Sequence, residues 1–443
     1  MADTSHVRWL YRELPDLVAQ GVLEAQAAER LRRHYGDPDM AGSTAKRWAV
    51  VLFSIVGAVL IGGGVILLLA HNWDELSRPM RALISIAPLA LTAALGAWVL
   101  LARTQSTAWR EGVGAAQTLA VGASIALVAQ TYNLGGRFDE FMLTWSLLAL
   151  PAAYLLAATL PALLYLMGIM VWAGSVTYHP GSSLWYFPLL AAVLPFLWWS
   201  GRANRYHPRP VLLAWMLAIT ACFGTGFAVE RVCEELGARP VVFGGLCVLL
   251  YLCGARWWKA APSVLQRPLQ NVGALSAVGL SLVLSYSDGW SGVASSAVNW
   301  HSVSSLQDGL QLAAAALVTL AALVVWVRSF RRRVWSEVML GAVSFLVCAG
   351  WIIAGMGDQA VISAFVFNLY LAVLGIGTLV TGLRGRRLGT VNAGMAVLAA
   401  AILCRFFDSD LSFVVRGVAF IVIGIGFLSI NLVLLRQRQE VQP

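Results

Sequence analysis

Charge is scarce in this chain. Asp, Glu, Lys and Arg make up 12% of its 443 residues, where soluble domains carry about 25%. Hydrophobic residues make up 59%, more than a water-soluble fold has interior to hold, so a soluble protein is excluded. Cysteine is sparse too. Cys222, Cys233, Cys247, Cys253, Cys348 and Cys404 form no pair at metal-ligand spacing. Five of the six lie in apolar runs, which reads as buried, inert thiol. His71, His179 and His301 fall on one side of the expected topology, but no two stand at ligand spacing. No phosphate-binding glycine motif, HExxH or nucleophile elbow occurs, and residues 1–46 are polar without a signal-peptide pattern. No carboxylate falls near the middle of an apolar run; Glu111 and Glu337 stand at run ends. Neither a cofactor nor a metal is expected, and the last absence argues against a proton-driven pump.

What the chain has instead is apolar length. Fourteen segments approach the roughly 20 residues needed to cross a bilayer. They lie at about 48–70, 82–102, 112–131, 141–157, 160–178, 184–200, 210–228, 240–257, 270–286, 309–327, 335–355, 360–382, 389–404 and 413–435. The pair at 141–157 and 160–178 is the hardest to separate, with only Ala158 and Thr159 between and Pro151 and Pro161 able to bend either. Alternating the segments with the N-terminus inside puts 24 of the 31 basic residues on the inner side, against seven outside. Twelve of the 22 acids fall outside. That bias predicts a cytoplasmic (inner) membrane protein with both ends in the cytosol and an even span count, about fourteen (12–14). Anionic lipid and topology account for the inner charge, so nucleic acid is not expected as a partner.

The expected fold is all-α: a polytopic helical bundle with a short N-terminal cytosolic helical hairpin. Val7, Leu10, Leu14, Leu17 and Val18 recur at helical spacing up to Gly21. Ala27, Leu31 and Tyr35 share a face of a second helix that stops at Gly36-Asp37-Pro38. Three divisions follow: the hairpin at 1–45, a membrane module at 46–180 and a second at 181–443.

Residues 112–145 concentrate the polar features. An apolar helix carries Gln117, Ser124 and Gln130, breaks at Tyr132-Asn133-Leu134-Gly135-Gly136, and exposes Arg137, Asp139 and Glu140 before the next run. Polar groups at the mouth of a span are costly in hydrocarbon and mark either a cavity or a helix contact. Gln117, Ser124 and Tyr132 share a helix face, with Gln130 near it, and Gly135-Gly136 permits a sharp turn. One reading makes Gln117, Ser124, Gln130, Tyr132, Asn133 and Asp139 a hydrated, outward-facing polar cavity that Asp74 and Arg405 complete; the other makes the stripe a dry contact between helices. Arg405, Asp408 and Arg416, at the outer ends of the last two runs, read as an ion-pair cluster or as an anion-binding pair. The serine-rich loop at 285–308 holds Trp290 and Trp300 and reads as a mobile lid, an interfacial segment or a plain flexible loop.

Two stretches carry a family resemblance: His71-Asn72-Trp73-Asp74-Glu75-Leu76, then Gly122-Ala123-Ser124-Ile125 and Gln130-Thr131-Tyr132-Asn133-Leu134-Gly135-Gly136, with Trp145 and Pro151 beyond. With Trp9, Leu14, Gly21, Leu23, Ala27 and Tyr35, they resemble the DUF2157 family of predicted bacterial membrane proteins over about residues 7–180. Glu24 stands where that resemblance leads one to expect a capping Ser. Arg405-Phe406-Phe407-Asp408, Arg416-Gly417 and Asn431 resemble the tail of longer members. The resemblance implies a bacterial integral membrane protein without an assigned activity.

Two functional classes follow. In the first, the protein moves a small or lipid-like amphipathic substrate through an outward-facing polar cavity, its partners being the bilayer and that substrate. In the second it is a sensor or scaffold whose N-terminal helices dock a membrane or cytosolic protein. An intramembrane enzyme ranks third, because no acid/base pair lies within a span.

Overall fold

The computed structural model describes residues 4–35, 75–176, 183–259, 261, 263–290, 293, 306–356 and 359–408, with 414, 417, 418, 421, 424 and 425. Among them no strand occurs. The helices are α1 (Thr4–Ala19), α2 (Ala25–Tyr35), α3 (Arg78–Ala102), α4 (Thr107–Tyr132), α5 (Phe138–Leu156), α6 (Thr159–Val176), α7 (Tyr186–Ala191) and α8 (Leu194–Gly201). They continue with α9 (Pro208–Ala228), α10 (Glu230–Glu235), α11 (Arg239–Trp257), α12 (Pro268–Leu284), α13 (Leu306–Arg331), α14 (Trp335–Gly355), α15 (Ala360–Arg384) and α16 (Leu388–Asp408). Two compact units divide the chain, residues 1–83 and 84–443.

In the first unit, Gly21 takes a left-handed φ of 70° just past α1. The Val22 and Leu23 amides donate back to the Leu17 carbonyl at 3.0 and 3.1 Å, closing the helix end. Glu24 starts α2 through its backbone, its carbonyl accepting from the Ala27 and Ala28 amides at 2.9 and 3.0 Å. A capping hydroxyl is therefore not what sets this terminus.

Among the described residues, ten helices are long and apolar enough to cross a membrane: α3, α4, α6, the Ser183–Gly201 segment that includes α7 and α8, α9, α11, α13, α14, α15 and α16. The chain is a multi-pass membrane protein. α5 has 19 residues with Asp139 and Glu140 in its first turn, and α12 is a shorter apolar helix of 17. The expected run at 48–70, and most of that at 413–435, lie outside the described residues. Apolar side chains face outward in rows, such as Val361, Phe365, Leu369, Val373 and Ile376 along α15. Such a stripe suits lipid.

The second unit packs around α11. One cluster joins α6 (Tyr165, Ile169, Trp172), α9 (Leu213, Leu217) and α11 (Leu246, Leu250). The other joins α11 (Val248, Tyr251, Leu252), α12 (Ala277, Leu284), α14 (Val343, Val347) and α15 (Phe367, Tyr370). Glycine lets α12 reach α11 closely: a Cβ on Gly273 would stand 2.4 Å from the Tyr251 nitrogen and 2.6 Å from the Cys247 carbonyl oxygen. Trp290 belongs to the second cluster and not to a lid. It is fully buried, donates to the Leu284 carbonyl at 2.8 Å and lies 5.7 Å from the Phe367 ring.

The doubtful stretch at 141–178 is two helices. Ala157 ends α5 with a left-handed φ of 46°, and α6 starts at Thr159. Residues from α4 seal this turn. Arg110 donates to the Leu156 carbonyl. The Glu111 carboxylate accepts from the Thr159 amide at 2.8 and 2.9 Å and from the Leu160 amide at 2.8 Å. Arg209, at the start of α9, reaches Glu111 at 3.4 Å. The free amides of a helix start attract a carboxylate, and here a neighbouring helix supplies it. The start of α4, the α5–α6 turn and the start of α9 thus share one end. At the same kind of end Arg205 donates to the Trp257 carbonyl at 2.9 Å, and Arg256 lies 3.9 Å from Glu337.

Candidate functional site

α4 runs to Tyr132 and ends as the polar pattern suggests, but the turn is made by Asn133, whose φ is 49°. Gly135 and Gly136 are not in the left-handed region, so the expected role of that pair is corrected. Asparagine tolerates this conformation through its short polar side chain. Past the turn, Arg137 grips Asp139 with two bonds, Nε to Oδ1 at 2.9 Å and an Nη to Oδ2 at 2.6 Å. This pairing raises the Arg137 guanidinium above its ordinary value. Asp139 is buried and Glu140 accepts from the Arg137 amide at 3.3 Å, so both carboxylates fasten the first turn of α5.

The polar stripe divides. Ser124 is buried and Gln117 half-buried, and neither the Ser124 hydroxyl nor the Gln117 carbonyl oxygen has a hydrogen-bond partner among the described residues. They share a flank of α4 whose neighbouring face packs on α5 and α6. There Gly122 lies under the Trp145 indole, and the Trp145 Nε1 donates to the Thr118 carbonyl at 2.8 Å. Gln130 is exposed, as are Tyr132 and Asn133. Thirteen residues separate Gln130 from Gln117, which turns it about 140° away at 100° per residue. The placement of Gln130 near the Gln117 face is therefore corrected. Elsewhere on α4, Val128 is half-buried and Leu119 exposed.

Arg405 finds its partners on α12 and α15. Its Nε donates to the Asn368 Oδ1 at 3.0 Å, an Nη donates to the Ser285 carbonyl, and the guanidinium lies 4.7 Å from the Tyr286 ring centre. The Tyr286 hydroxyl in turn donates to the Cys404 carbonyl. A cation closing the C-terminal end of α12 suits the helix dipole. Asp74, Arg416 and the Asp408 side chain lie outside the described residues.

A cavity opens elsewhere in the second unit. About 400 Å³ in volume, it lies between α9, α11 and α12, with the short helix α10 across its end. Phe223, Phe227 and Phe243 give it apolar walls, and Cys222, Cys247 and Ser276 line it more deeply. Glu230 and Arg239 stand at its rim, 3.3 Å apart, and Glu234 holds Arg239 from the other side at 3.2 Å. Arg231 lies 3.6 Å from the buried Asp308 and 3.7 Å from Glu235. Burial pushes the Cys233 thiol up to about 12, so it is a neutral lining group at physiological pH. The six cysteines are more varied than inert core thiols: three line this cavity, and Cys253 is exposed. Sequence reading missed the site. Its one sequence signal is the acid-rich segment Glu230–Glu235 set between two apolar runs.

Among the described residues no group of three or more His, Cys, Asp or Glu is placed to hold a metal ion. Residues 15–162 match the DUF2157 family model, described as a predicted membrane protein. The DUF2157 region covers α4 and α5, with the Arg110–Glu111 clamp and its acceptor Thr159, and ends inside α6. The cavity lies beyond it. No curated protein and no solved structure matches the chain.

Proposed function

We propose that this protein binds and passes a small or lipid-like amphipathic molecule, and that the cavity between α9, α11 and α12 is its binding site. The observation that carries this reading is the cavity itself. Its volume of about 400 Å³ falls within the ~300–1,000 Å³ of small-molecule sites, and its apolar walls end at an ionic rim. The topology adopted is about fourteen spans in the cytoplasmic membrane with both ends cytosolic, which puts the arginine-rich helix ends inside and the cavity rim outside. Gln117 and Ser124 then act as a helix contact, with Gln130, Tyr132 and Asn133 at the outer surface. Purification from native membranes, followed by mass spectrometry of co-purifying small molecules, tests the reading. An amphipath retained by the wild type and lost from Ser276→Trp supports it. Identical profiles from a folded variant and the wild type would sink it.

The second reading, a scaffold that docks a protein through α1 and α2, draws on the compactness of residues 1–83 as a unit of their own. Deleting residues 1–42 should then leave the rest inserted and monodisperse while abolishing partner capture. Aggregation of the truncated chain counts against a detachable docking module.

A further inference from the structure

The rim of the cavity carries more acid than base. Glu230 and Glu234 share a single guanidinium, Arg239, while Arg231 pairs separately with Glu235 and Asp308. The Arg239 group therefore carries one carboxylate more than it has cations. Arg239, which lines the cavity, is held by Glu230 and Glu234 together. An anionic headgroup would have to displace both carboxylates to reach it, and each displaced carboxylate would then sit beside the newcomer's like charge. A cation meets the opposite situation. It adds to Glu230 without breaking the Arg239–Glu234 pair and reduces the surplus charge. The walls agree with this. Phe223, Phe227 and Phe243 present three aromatic rings to the cavity, and the faces of such rings attract cations.

We propose that the cavity selects lipophilic cations: molecules with an apolar, preferably aromatic body that packs among the three phenylalanines and an ammonium group that sits against Glu230. This inference rests on the reading of the cavity as an amphipath site and narrows it to one charge class.

The test uses the full chain in nanodiscs of zwitterionic lipid, with empty nanodiscs as the partition blank. Three fluorescent probes of similar shape differ in charge: 2-naphthylmethylammonium, 2-naphthylmethanol and 2-naphthylacetate. The cation should bind about tenfold more tightly than the neutral probe, the effect of one charge contact at a partly solvated site, and more tightly still than the anion. Glu230→Gln should remove most of that preference while leaving the neutral probe's affinity unchanged. Ser276→Trp and Leu280→Trp, each checked for monodispersity, should abolish binding of all three by filling the cavity. Equal binding of the three probes, still abolished by the tryptophans, overturns the charge selection and leaves the amphipath site standing. Binding that neither tryptophan variant reduces, or no binding above the blank, overturns the site and the selection together.

Discussion

Replacing Glu111 with Ala removes the carboxylate that accepts from the first two amides of α6. The carboxylate takes three contacts of 2.8–2.9 Å from Thr159 and Leu160. Thr159 is 6% exposed, so water does not readily replace the lost acceptor there, whereas Leu160 is 43% exposed and its amide can be rehydrated. Hydrogen bonds to charged groups contribute about 1.5–3 kcal/mol, and a lost helix N-cap costs about 0.5–2 kcal/mol. One buried and one rehydrated amide therefore put the loss at about 2–3 kcal/mol. The Arg209 contact at 3.4 Å involves side chains 32% and 17% exposed, so Arg209→Ala should cost only about 0–1 kcal/mol. Glu111→Gln keeps one acceptor oxygen and should fall between the two. Unfolding by rising SDS fraction in mixed micelles, followed by far-UV circular dichroism, gives the three values on one scale. If Arg209→Ala costs as much as Glu111→Ala, the ion pair and not the amide cap holds the turn, and the reasoning fails.

Gly273→Ala should cost about 1–3 kcal/mol, because its Cβ would collide with the α11 backbone. Gly279→Ala, which meets nothing within 4 Å, should be silent in the same SDS titration. In a cysteine-free background, Cys placed at 130 or 133 should react with a membrane-impermeant maleimide added from outside, and Cys at 124 should not; fast labelling at 124 would reopen the hydrated stripe on α4. Reporter fusions should read cytosolic at Arg332 and external at Gly237, and an external signal at Arg332 would invert the proposed orientation.

Some of this was legible along the chain and some was not. Helix existence follows from apolar length, and the break after Tyr132 from the Asn-Leu-Gly-Gly composition. Which residue would take the left-handed conformation there was not readable, since Asn and Gly both accept it and the backbone path decides. The position of Gln130 was legible. Thirteen residues on a regular helix fix its angle from Gln117. Trp290 misled for a different reason. A tryptophan in a serine-rich connection looks interfacial, and only Gly350, where a Cβ would stand 2.5 Å from the Trp290 ring, shows the slot it fills. The cavity was invisible because its lining comes from four helices between residues 222 and 280. Cys222, Cys247 and Ser276 are each ordinary in an apolar run, and only packing makes them neighbours.

The place of α11 sets how this protein can move. Its Leu246 and Leu250 side chains belong to one packed body and its Val248 and Leu252 side chains to the other. α9 packs in the first body, while α12 gives Leu269 to the first and Ala277 and Leu284 to the second. The cavity occupies the seam between those two helices. Packed interiors shift as rigid blocks and do not deform smoothly, so any rocking of the two bodies turns about α11 and the N-terminal end of α12, the axle they share. The gap between Phe223 on α9 and Leu280 on α12 becomes the gauge of that rotation. A spin-label pair at these two positions would report both bodies at once, widening or narrowing by whatever angle the axle allows.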